Sequence, residues 1–198
     1  MKPRLSLKGR ALQLLAQREH SRLELRRKLL AHAEKSAEDD AAKRGDERVA
    51  THAEDDAGDR RDRGDGQRSD VLARRPTPTS AMQANVERLL DELAAGGLLS
   101  EARFVEGRIR TRAARHGNQR IAQELARHGL QPSADAAREL KASEFARARE
   151  VWLRKFGDAA AASATDARSR ARQIRFLAGR GFSAEVIRRV LRAGTGED

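Results

Sequence analysis

The sequence predicts an all-α fold made of repeated short helical units, and three observations point there. The phrase Ser21-Arg-Leu-Glu-Leu25-Arg-Arg-Lys-Leu29 is echoed as Gly117-Asn-Gln-Arg-Ile121-Ala-Gln-Glu-Leu125 and again as Ser183-Ala-Glu-Val-Ile187-Arg-Arg-Val-Leu191. Each copy begins on a small helix-starting residue and sets branched apolar side chains four and eight positions later, with Arg, Lys or polar residues between them. Ala, Leu, Arg and Glu are abundant, and all favour helix, while aromatic residues make up only 3% of the 198 positions. Charged residues reach 36%, which makes a single large core a poor fit and suits small helical modules with thin apolar seams.

Leu7 to about Ala33 reads as two helices. Ala11, Leu12, Leu14 and Leu15 form an apolar face, a turn near Arg18-Glu-His20 leads to Ser21 as N-cap, and Leu25 and Leu29 continue the stripe. From Lys35 to Ser80 the helical period is lost. That stretch holds ten basic and twelve acidic residues and almost no large apolar side chain besides Val49, Val71 and Leu72. It cannot bury enough surface to offset its ordering entropy, so a disordered or transiently helical polar insertion is expected. Val86, Leu89, Leu90 and Leu93 then fall at i, i+3, i+4 and i+7 of a helix that Gly96-Gly97 should end. Leu98-Leu99 packs back, and Ser100 with Glu101 opens a second helix carrying Phe104, Val105 and Ile109. Gly117 breaks it, and Ile121 and Leu125 mark a third helix ending near His128-Gly129. The plan recurs with Phe145, Val151, Trp152, Leu153 and Phe156 on one helix and Ile174, Phe176 and Leu177 on the next. A sharp turn at Gly179-Arg-Gly-Phe182 then leads to Val186, Ile187, Val190 and Leu191 on the last. The expected organisation is a partial first repeat over 1–34, a charged insertion over 35–80, and three-helix repeats over 81–140 and 141–194.

The net charge is +11 with a pI near 11.1, mostly from Arg, and the insertion at −2 leaves +13 on the remainder. Acidic surfaces, nucleic acid among them, attract such a chain at a rate that falls with salt. Catalysis is not expected. The chain has no Cys, no two His at i, i+4, no Gly-rich loop followed by Lys-Ser/Thr and no Ser in a nucleophile-elbow pattern. The acidic pair Asp39-Asp40 lies in the expected insertion, where carboxylates lack fixed geometry. Turn or cap positions account for His20, His116 and His128, and Trp152, between Val151 and Leu153, reads as core. No metal or cofactor is therefore expected. No apolar run approaches ~18 residues, and Met1-Lys-Pro-Arg-Leu-Ser lacks the apolar stretch of a secretory signal, so a soluble cytoplasmic protein is expected.

The arginines are the candidate contact residues. Arg108, Arg112 and Arg115 share one side of a helix, Arg120 and Arg127 follow across a tight turn, and Arg22, Arg26 and Arg27 form a second set. Guanidinium suits both carboxylates of a protein and phosphates of DNA.

Three stretches carry a family resemblance. They are Ala11-Leu-Gln-Leu-Leu-Ala-Gln-Arg-Glu-His-Ser-Arg-Leu-Glu-Leu-Arg-Arg-Lys-Leu29, Leu98-Leu-Ser-Glu-Ala-Arg-Phe104 and Arg180-Gly-Phe-Ser-Ala-Glu-Val-Ile-Arg-Arg-Val-Leu191. In this order they resemble the RecX family, bacterial regulators of the RecA recombinase. The resemblance implies tandem three-helix repeats in an elongated, curved body that binds the groove of the RecA–DNA filament. It also implies inhibition of strand exchange, ATP hydrolysis and the coprotease activity behind the SOS response, with consequences for DNA repair. The long polar insertion departs from the family, as does Gly117-Asn-Gln at a turn where relatives often carry an aromatic. The rival reading is a basic helix-turn-helix-like DNA-binding protein. Its recognition helices would start at Ser21, Gly117 or Ser183, but only Gln119 and Gln123 stand out as base readers. At most weak, salt-sensitive, nonspecific binding to single- or double-stranded DNA is expected, from an elongated monomer with no membrane contact.

Overall fold

The computed structural model describes residues 5–52, 78–157 and 166–195, and every regular element within them is a helix. These are α1 (Leu7–Gln17), α2 (Arg22–His52), α3 (Ser80–Ala95), α4 (Glu101–Ala113), α5 (Asn118–Ala126), α6 (Ala134–Phe156), α7 (Ala167–Gly179) and α8 (Ala184–Thr195). None of them is long and apolar enough to cross a membrane. By contact the chain divides into two compact units, one of Met1–Gln17 with Glu24–Leu98, the other of Arg18–Leu23 with Leu99–Asp198.

The first unit holds α1, nearly all of α2, and α3. Its buried apolar side chains are Ala11 and Leu14 of α1, Leu25 and Leu29 of α2, and Val86, Leu89, Leu90 and Leu93 of α3. Leu12, expected on the apolar face, is 40% exposed because it lies beside the i, i+3 stripe of Ala11 and Leu14 and not on it. Thr79 caps α3 by accepting from the Met82 N–H at 3.3 Å. Gly96-Gly97 ends the helix, Gly97 taking φ 70° while the Leu98 N–H returns to the Leu93 carbonyl at 2.9 Å. Arg26 of α2 is ion-paired with Glu87 of α3. Thus α3 falls with α1 and α2, whereas the sequence reading grouped it with the helices that follow it.

Helix α2 continues past Lys35 to His52, so the first part of the polar segment is helical. Ala, Glu, Lys and Arg keep intrinsic helix propensity even without an apolar face, and extending a helix already nucleated over Leu25 and Leu29 requires little more. The rest of the expected insertion up to residue 77 lies outside the described residues.

The second unit has two small cores that share α6. Phe104, Val105, Ile121, Leu125 and Leu140 form one among α4, α5 and the first half of α6. Ala148, Val151, Trp152, Leu177, Phe182, Ile187, Val190 and Leu191 form the other among the second half of α6, α7 and α8. The boundary expected at 140 therefore lies inside one continuous helix, since no Gly or Pro interrupts Ala134–Phe156. Trp152 is buried, as its apolar neighbours suggest, and its Nε1–H donates to Gln173 Oε1 at 3.0 Å. Leu98 and Ile174, read as packing residues, are 50% and 40% exposed. The side chains of Ser100, Ser133 and Asp166 cap α4, α6 and α7.

Candidate interaction surface

Two of the echoed phrases, those starting at Gly117 and Ser183, meet back to back. The Gly117 N–H donates to the Arg180 carbonyl at 2.9 Å and the Gln119 N–H to the Gly181 carbonyl at 3.1 Å. A methyl group on Gly117 would sit 2.2 Å from the Gly181 oxygen, and one on Gly181, at φ 81°, would sit 2.5 Å from the Arg120 backbone nitrogen. Only hydrogen fits at either place. Helix α5 has no side-chain cap of its own, and Glu144 of α6 takes that role from a distance. One oxygen of its carboxylate, only 5% exposed, accepts from the Asn118 N–H at 3.1 Å and the Ser183 N–H at 3.3 Å. A single buried negative charge thereby sits at the positive ends of two helix starts.

One turn along α6, Arg147 serves the opposite kind of terminus. Its guanidinium donates to the carbonyls of Ala113 at 3.0 Å and His116 at 2.8 Å, at the end of α4, and to Leu140 at 2.9 Å. It also meets Asn118 Oδ1 at 2.6 Å. Burial lowers its pKa, and the Glu144 charge opposes that shift.

This frame fixes two adjoining clefts with His116 in the wall of both. The smaller, 300 Å³, is lined by Arg112, Arg120 and Arg127 together with Glu124 and His128. The larger, 520 Å³, is lined by Arg115, Arg154, Lys155 and Arg180 over Val151 and Phe176. Of the expected contact residues, Arg108 and Arg112 are largely committed within the protein. Arg108 reaches Glu124 at 3.1 Å and lies 5.1 Å over the Phe104 ring, while Arg112 grips both Glu124 oxygens, the closer at 2.9 Å. Arg115, Arg120 and Arg127 are exposed. Arg22, Arg26 and Arg27 all lie on α2, where Arg26 holds Glu87 and Arg27 is exposed. The sequence reading missed Arg154, Lys155 and Arg180. Lys155 and Arg154 in the last turn of α6 and Arg180 at the end of α7 were findable as helix C-terminal cations, but nothing in the linear pattern brings them beside Arg115.

His116 has a pKa below its ordinary value. Burial is the main cause, the charges of Arg112, Arg120 and Arg180 add to it, and the Arg112 backbone opposes it. Its Nδ1 is buried with no hydrogen-bond partner among the described residues. The unfolded chain, with a histidine pKa of about 6.5, therefore takes up the proton first as pH falls. The neutral ring's contribution to stability is fully present above that value and is lost as pH drops through the folded pKa. The melting temperature should fall between pH 7 and pH 5, with a shallower fall in His116→Gln. Identical slopes in the two proteins would refute this assignment.

Residues 142–191 match the family described as RecX, third three-helix domain, and residues 100–134 match RecX, second three-helix domain. The first corresponds to most of α6 with α7 and α8, and the second begins one residue before α4 and includes α5. Across 193 residues the chain is 41% identical to Regulatory protein RecX of Leptothrix cholodnii, covering 96% of this chain and 90% of the relative. It is 40% identical over 196 residues to the protein of that name from Herminiimonas arsenicoxydans, covering 97% and 95%. To that of Pseudomonas entomophila it is 47% identical over 124 residues, covering 61% and 77%.

Proposed function

This chain belongs to the RecX family, and on that premise we propose that it is a noncatalytic regulator that binds the RecA nucleoprotein filament and inhibits its recombinase, ATPase and coprotease activities. Its field of action is then the cytoplasm, where it affects DNA repair and the SOS response. The observation that carries the reading is the basic face of the unit containing α4–α8, where Arg115, Arg120 and Arg127 stand exposed on one compact unit. Such a face gains little from any one pair, but several contacts made together by one rigid body add up. A body fixed across neighbouring filament protomers also resists the rearrangements that strand exchange and ATP turnover require. Glu144 holds two helix starts, and Ser183 both meets that carboxylate and accepts from the Val186 N–H at 3.3 Å, so these two side chains serve the frame. Direct DNA contact is expected to be weak and salt-dependent.

Arg108 and Arg112 are poor probes of this surface, because a carboxylate at either position would face Glu124. The informative variant carries Arg115→Glu, Arg120→Glu and Arg127→Glu. Substoichiometric wild-type protein should at least halve the single-stranded-DNA-dependent ATPase rate of the cognate RecA. The variant, folded by circular dichroism, should need roughly tenfold more protein for the same effect. Absence of inhibition by folded wild type overturns the reading, and binding to naked duplex that survives moderate salt would return the weight to plain DNA binding.

A further inference from the structure

We propose that the 520 Å³ cleft formed by the end of α4, the last turns of α6, and α7 docks an acidic peptide segment carrying an apolar anchor side chain. The inference rests on the reading of the chain as a regulator that grips a protein partner, and it assigns that grip to residues outside the arginine set the sequence brings forward.

Charge gives the first argument. In the smaller cleft Glu124 already answers Arg112 and its neighbour Arg108. Around the larger one stand Arg115, Arg154, Lys155 and Arg180, and none of its lining among the described residues is acidic. Among the described residues only Arg154 of these four has a carboxylate partner, Glu150, one turn back on the same helix, with the two side chains 57% and 67% exposed. A pair so open to water is worth little and exchanges readily for an incoming carboxylate.

Pre-organisation gives the second. Arg180 is held before any ligand arrives, its guanidinium 4.6 Å over the Phe176 ring and its Nη1 donating to the Arg115 carbonyl at 3.2 Å. The strand of chain that carries it is pinned by the Gly117 N–H on the Arg180 carbonyl. A fork fixed in this way loses less freedom on meeting a carboxylate than a free surface arginine does.

The floor decides between peptide and nucleic acid. Val151 and Phe176 place apolar surface beneath the cations. A sugar–phosphate backbone has no group that gains from that floor, whereas a Phe or Leu flanked by Asp and Glu gains from floor and rim together. Single-stranded bases do stack on open aromatic faces. Here Arg180 lies over the Phe176 ring, and Phe156 packs against it at 84° with centroids 5.2 Å apart. With one face under Arg180, the ring contributes to the floor by its remaining surface and is not an open stacking platform.

The test is fluorescence anisotropy on the full-length protein. The probes are two labelled peptides, Glu-Asp-Phe-Glu-Asp and Glu-Asp-Ala-Glu-Asp, with oligothymidylate of about 15 nucleotides as competitor. The Phe peptide should bind at least about fivefold more tightly than the Ala peptide. It should weaken at least about tenfold in Arg154→Glu/Lys155→Glu, with Arg154→Ala/Lys155→Ala as the gentler pair should charge reversal impair folding. Equal affinity for the two peptides, or undiminished affinity in a folded double variant, overturns the proposal. So does tighter binding of oligothymidylate that displaces the peptide, which would assign the cleft to nucleic acid. Wild-type inhibition of the RecA ATPase, measured alongside, separates the levels: inhibition without peptide discrimination overturns the docking site alone, and loss of inhibition overturns the functional reading beneath it.

Discussion

Replacing Gly117 or Gly181 by alanine is expected to destabilise the protein by about 3 kcal/mol or more. The atoms a new methyl would meet are main chain or fixed directly to it: the Gly181 carbonyl group and Phe182 nitrogen for Gly117, and the Arg120 nitrogen, Cα and Cβ for Gly181. Main chain cannot swing aside as a flexible side-chain tip can, and here it is fixed by the two hydrogen bonds that the Gly117 and Gln119 N–H groups donate to the Arg180 and Gly181 carbonyls. Gly181 adds a left-handed φ of 81°, which costs a non-glycine residue further. Gly107, within α4 with open space where a Cβ would go, supplies the opposite sign: Gly107→Ala should stabilise by about 0.5–1 kcal/mol through helix propensity. Urea denaturation followed by circular dichroism checks all three. A loss under about 1 kcal/mol for Gly117→Ala would mean that the two turns are not in van der Waals contact.

The second large effect is expected at the polar centre of α6. Glu144→Ala strips an acceptor from the Asn118 and Ser183 N–H groups and leaves Arg147 without its nearby counter-charge, so a loss of about 3 kcal/mol is expected. Arg147→Ala should cost a similar amount, because the Ala113 and His116 carbonyls lose their donor at the end of α4. Glu144→Gln keeps an acceptor oxygen and should retain roughly half of what Glu144→Ala loses. Since Asn118 touches both side chains, the double alanine variant should lose at least about 1 kcal/mol less than the two single losses combined. Strict additivity in a double-mutant cycle would show that the two groups act separately.

Much of the fold was legible because it rests on local rules. The buried stripe of Val86, Leu89, Leu90 and Leu93, the Gly96-Gly97 stop and the Ser100 cap are each set by neighbours within a helical turn or two. The echoed phrases also carried more than repetition, since their apolar pairs Ile121 with Leu125 and Ile187 with Leu191 are buried. What escaped depends on which helix stands opposite which. Arg112 looks like any solvated helix arginine until Glu124, twelve residues on and on another helix, is placed against it. Glu144 sits in a run of ordinary helix formers, and its role as a cap for two distant helices has no trace in its own surroundings. Likewise α6 reads as the start of a new repeat because the bulky residues assigned to that helix begin at Phe145, although Leu140 on the same helix closes the core before it.

The sharing of α6 bears on how this half of the molecule opens. In a stack of independent repeats the end repeat frays while its neighbour stays closed. Here the first amides of α5 and α8 depend on one and the same carboxylate oxygen, so loosening either helix start disturbs the anchorage of the other. Deuterium should therefore enter the Asn118 and Ser183 amides at matched rates, from one cooperative opening of α4–α8. That coupling makes α4–α8 one mechanical piece, in which a force applied at α8 reaches α4 through the helix the two cores share.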